Sequence, residues 1–156
     1  MAASLTIEGP QGGVAFLGTM QALSNAAAGT NHYLAGNEIF DNTSDLTMGA
    51  AGATQGTHGM IFTAPVTGKY QLQIWLELTE IPADAGYWRL ILETSNRSYL
   101  TFWSDGLAHA GFGDFLFVVA DMDAGDIATP KWYQQTGTAA VDISVNQTGF
   151  SGFLIG

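Results

Sequence analysis

Residues 69–79 alternate with a period of two: Tyr70, Leu72, Ile74, Leu76 and Leu78 form one set, and Gln71, Gln73, Trp75, Glu77 and Thr79 the other. Successive side chains of a strand point to opposite faces, so this stretch predicts a half-buried strand. Trp75 falls on the otherwise polar face, which predicts that this face meets a further surface. Residues 87–94 predict a second strand, with Trp88, Leu90 and Leu92 on one side, and residues 98–103 a third. A tight turn at Ser95-Asn96-Arg97 joins these two. Residues 112–120 are almost continuously apolar, the pattern of a strand buried on both faces. A turn over 121–126 follows, then strands over 127–134, 139–145 and 150–155. In the first third, 14–19 and 61–63 predict strands, whereas 24–30 and 47–59, rich in small polar residues and glycine, predict loops. Glycine recurs throughout and penalises any amphipathic helix. Many short strands punctuated by turns predict an all-β, antiparallel sandwich or jelly roll.

The length of 156 residues suits one domain, here residues 14–156, preceded by an arm over 1–13 that Gly9, Pro10, Gly12 and Gly13 keep irregular. Cysteine is absent, which excludes disulfides and thiolate sites. A net charge of −10 argues against nucleic-acid and anionic-membrane partners, both of which need a basic face. Only 12% of residues are charged while 47% are hydrophobic, which implies apolar surface covered by other subunits. The arm has no basic residue and no apolar run of signal-peptide length. The longest apolar run, residues 115–120, is too short to cross a bilayer. The expectation is a protein assembled in a cell's cytoplasm, without a membrane partner.

Residues 62–74, FTAPVTGKYQLQI, carry the most specific motif. Phe62 followed by Gly68, Tyr70, Leu72 and Ile74 resembles the signature of the globular head of complement component one, subcomponent q. That head shares its ten-strand jelly roll with the tumour necrosis factors. Ala124-Gly125-Asp126-Ile127 is similar to the family's turn before a late strand. Gly149-Phe150-Ser151-Gly152-Phe153-Leu154-Ile155 resembles its closing strand. The sequence departs from the family in placing Leu72 and Ile74 where aromatics are usual, in a long stretch between Asn42 and Phe62, and in having no collagen-like stalk. The resemblance implies a ten-strand antiparallel, tumour-necrosis-factor-like jelly roll that assembles as a homotrimer. Bacteriophage virion proteins use the same roll, and this cysteine-free chain looks more like those. The expected core is Phe62, Tyr70, Leu72, Ile74, Phe117, Phe150 and Phe153, with Gly68 and Gly152 required for backbone reasons.

Catalytic groupings are weak. His32, His58 and His109 lack metal-ligand spacing and sit in glycine-rich stretches. No G-x-S-x-G turn occurs, and Ser151 reads as a small packing residue. Asp121, Asp123 and Asp126 around Gly125 form the best cation candidate, yet they lack the later bidentate glutamate of a calcium loop. Turn chemistry is the favoured reading there. Three Asn-x-Ser/Thr triplets, at Asn42, Asn96 and Asn146, carry no weight without an export signal. No cofactor and no enzymatic activity are expected. The expected function is a non-enzymatic virion protein, a homotrimer that decorates or cements a bacteriophage capsid. Leu5, Ile7 and Pro10 in the arm would dock on the major capsid protein or another virion protein. The alternative is a trimeric fibre tip or receptor-binding module that grips a host-surface glycan.

Overall fold

The computed structural model describes residues 13–52, 55–137, 141–144 and 147–155. Thirteen strands and no helix occur among them. They are β1 (Ala15–Met20), β2 (Leu23–Ala26), β3 (Asn31–Tyr33), β4 (Gly36–Asp41), β5 (Leu46–Met48), β6 (Met60–Thr63) and β7 (Gly68–Ile81). Then come β8 (Trp88–Thr94), β9 (Ser98–Leu100), β10 (His109–Met122), β11 (Ile127–Gln134), β12 (Val141–Ile143) and β13 (Gly149–Leu154).

Two antiparallel sheets pack face to face. One runs β2-β12-β7-β13-β1-β4, with β10 on the other side of β7. The second runs β5-β6-β11-β8-β9, with β3 also on β11. The alternation in β7 dictates which face turns inward: Tyr70, Leu72, Ile74, Leu76 and Leu78 are all buried. From the opposite sheet Phe62, Trp88, Leu90, Leu92 and Trp132 meet them. Phe16 stacks on Phe62 with centroids 4.5 Å apart and meets Phe150 edge-on at 4.8 Å. Offset and edge-on aromatic pairs of this kind add to the area they bury.

The motif residues Phe62, Tyr70, Leu72, Ile74 and Phe150 are fully buried as expected. Gly152 is needed for space: a Cβ there would sit 2.5 Å from Leu72 Cδ2 and 2.8 Å from Phe16 Cε1. Four expectations need correction. Gly68 is the first residue of β7, opposite Met122, and is not among the positive-φ glycines, so it makes no left-handed corner. The left-handed glycine of this region is Gly125, at φ 91° in the turn between β10 and β11. Strand β10 is covered on one face only: Phe115, Val119 and Phe117, the last expected in the core, are exposed, because they point away from the opposite sheet and none of the described residues packs over them. Phe153 is exposed as well, since Gly152 and Phe150 take the inward positions of β13. A strand, β2, also occupies part of the segment expected to loop at 24–30; Asn25 there adopts φ 58°. The arm residues Leu5, Ile7 and Pro10 lie outside the described residues.

Candidate functional site

The outward positions of the seven-stranded sheet form one continuous surface. Register fixes its rows. Val119, Gln71, Phe153 and Ala15 lie abreast across β10, β7, β13 and β1. The next row is Phe117, Gln73, Ser151, Leu17 and Phe40, the last from β4. The third is Phe115, Trp75, Gly149 and Thr19. None of these side chains carries a charge. Charge returns only at the ends, with Glu77 beside Gly113 and Lys69 beside Asp121. Phe115 is 74% exposed and Phe117 54%. Shallow hollows run between them, one lined by Trp75, Phe115 and Phe117, another by Phe40, Trp75 and Phe153.

Trp75 owes its pose to Gly149. A Cβ at Gly149 would lie 2.2 Å from the indole Cζ2, so the ring lies flat across β13 where a side chain is missing. The sequence pattern marked Trp75 as facing a further surface, and its neighbours on that face are Phe115, Phe117, Phe153 and Phe40. The period-two alternation of residues 112–120 hides this, because both sets are apolar.

The acidic turn is built as a turn. Asp126 N–H donates to Asp123 O at 2.9 Å. Asp126 Oδ2 accepts from Asn96 Nδ2 at 2.7 Å and from Asp123 N–H at 2.9 Å. Asp123 Oδ1 accepts from Thr67 Oγ1 at 3.4 Å. Asp121 belongs to β10, opposite Lys69. Among the described residues no three acidic or histidine side chains converge on one point.

The outer face of the six-stranded sheet is different. Glu93 on β8 accepts from Lys131 Nζ at 3.0 Å and from the Tyr33 hydroxyl. Burial first, then the Glu93 hydrogen bond and charge, push the Tyr33 hydroxyl well above its ordinary pKa. Four residues earlier along β8, the Arg89 guanidinium lies 4.6 Å from the Tyr87 ring centroid and 5.6 Å from that of Phe102.

No family model matches the chain, and no curated protein matches it. Solved structures do. Murine APRIL superposes with a TM-score of 0.63 and 14% identity, over 91% of this chain and 98% of that one. The globular domain of zebrafish complement 1qA protein superposes with a TM-score of 0.59 and 18% identity, over 92% and 98%. Murine APRIL at pH 5.0 gives 0.63 and 13%, over 92% and 99%. At these identities the likeness is one of fold: the chain is a tumour-necrosis-factor-like jelly roll.

Proposed function

We propose that this chain is a non-catalytic, self-associating module, a homotrimer that decorates a bacteriophage capsid. The observation that carries self-association is the uncharged aromatic face centred on Trp75, Phe115 and Phe117. Copies that each carry −10 repel, so they approach best through surface without charge. Depletion of charge and enrichment of aromatics mark the core of an interface. The edge of β10 on one copy, set against the face of the next, is a heterologous contact that closes into a ring. Three copies is the number that the family resemblance implies.

The capsid role is supported by the jelly-roll fold, which bacteriophage virion proteins also use, by the small cysteine-free chain and by the lack of a catalytic constellation among the described residues. Light scattering on the purified chain tests the trimer, with an expected native mass three times 16.5 kDa. A monomer at all concentrations overturns it. Particles lacking the protein test the second step. Adding it is expected to raise their heat resistance, and deleting residues 1–13 to abolish attachment while the trimer persists. A second reading, glycan recognition, is favoured by one observation, the arginine packed against two aromatic rings on the opposite sheet.

A further inference from the structure

Arg89 sits in unusual company. Its guanidinium is packed against Tyr87 and Phe102, whose rings lie 5.0 Å apart, and Tyr133 continues the aromatic wall at 6.0 Å from Tyr87. Register explains the grouping: Tyr133 of β11 is directly opposite Arg89 of β8, and Asn31 of β3 is opposite Tyr133. The ion pairs among the described residues join Asp105 to His109 and Glu93 to Lys131; neither involves Arg89. Its Nε is buried without a hydrogen-bond partner. A partly buried cation with no carboxylate beside it costs free energy that a bound anion recovers. In a chain of net −10, Arg89 is a cation that rests on aromatic rings and is joined to no carboxylate.

Arg89 lines an open cleft of about 290 Å³ with Asn31, Tyr87, Ser98 and Tyr133 among its walls. Ligand pockets span roughly 300–1,000 Å³, so the cleft suits a single ring rather than a chain. Lys131 also borders it, but Glu93 neutralises that ammonium, which leaves one net positive charge for the ligand. We propose that this cleft binds a monosaccharide unit bearing one carboxylate, a uronic or sialic acid type of sugar. Arg89 would grip the carboxylate with its planar fork, the tyrosine rings would face the sugar's apolar side, and Asn31 and Ser98 would meet its hydroxyls. The strongly negative whole chain disfavours polyanions in the same place. This rests on the glycan-recognition reading, and it lies on the sheet opposite the proposed self-association face.

Titration calorimetry of the full chain with glucuronic acid, its methyl ester and glucose tests the proposal without any mutation. The acid is expected to bind saturably with a Kd of about 1 mM, and the ester and glucose at least about tenfold more weakly. Arg89→Lys, which keeps the charge but loses the fork, is expected to weaken the acid by about tenfold with native mass unchanged. Equal binding of acid and ester overturns the carboxylate assignment while leaving glycan recognition standing. Absence of binding by all three probes at about 10 mM overturns both. Unchanged affinity in Arg89→Lys, with all else as expected, overturns the role given to the guanidinium.

Discussion

The two sheets cover the same core but finish their outer faces in opposite ways. On the six-stranded sheet, Lys131 and Tyr33 both donate to Glu93, and Arg89 lies on aromatic rings. Lys131 and Ile91 are buried although they point away from the core. On the seven-stranded sheet the central outward rows of β10, β7 and β13 hold aromatics, valine, glutamine, Ser151 and Gly149, and Phe115, Phe117, Val119 and Phe153 stay exposed among the described residues. One face pairs Glu93 with Lys131 and Tyr33 within the chain; the other presents apolar area without charge. Exposed apolar surface of this continuity is where association gains most free energy.

The largest expected effect lies in the core that both sheets share. Phe62→Ala removes the ring between Phe16 and Tyr70 and is expected to cost about 3–5 kcal/mol in denaturant unfolding. Phe117→Ala, made in an otherwise monomeric variant, is expected to change stability by no more than about 0.5 kcal/mol. Similar losses at the two phenylalanines would erase the distinction between inner and outer faces. Next, Phe115→Glu with Phe117→Glu is expected to convert the trimer to a folded monomer, read by light scattering and circular dichroism. A surviving trimer would move the interface elsewhere.

On the other sheet, Glu93→Ala strips both Lys131 and Tyr33 of their acceptor. The pair is mostly buried, with side chains 9% and 21% exposed, so a loss of about 1–3 kcal/mol is expected, with no change in native mass. The smallest effect concerns Asp105. The Leu107 backbone N–H, then His109 and the Trp103 indole N–H, hold its carboxyl below the ordinary 3.8. A depressed carboxyl stabilises the fold above its ordinary pKa and loses that contribution as pH falls through the folded value. Asp105→Asn is therefore expected to lower the melting temperature slightly at pH 7 and not at all at the acid end.

The legible part of this fold was its interior. Strict alternation in residues 69–79 identified β7, and the motif from Phe62 to Ile74 located the central contact between the sheets. The outer faces were harder. In β10, Phe115 and Phe117 point outward while Leu116 and Val118 point inward, and a run apolar on both sides reads the same whether its second face meets its own chain or another. Phe153 sits in a similar stretch, where Phe150, Phe153, Leu154 and Ile155 leave both faces apolar. The Arg89 site left no linear trace, since Arg89, Phe102 and Tyr133 are far apart in sequence and only the β8–β11 register and the segment after β9 unite them. Strands β3 and β5, three residues each, are too short to show a period at all.

The pose of Trp75 across Gly149 has an optical consequence. Trp88 and Trp132 are buried within the chain, and Trp103 lies away from the outer face of β7 and β13. Trp75 alone among the four indoles stands where a neighbouring copy would exclude water. Its emission should therefore move to the blue as dilute protein assembles, and Trp75→Phe should silence that change while the other three continue to report folding. The chain thus contains a native fluorophore for each event, one for assembly and three for the sandwich itself.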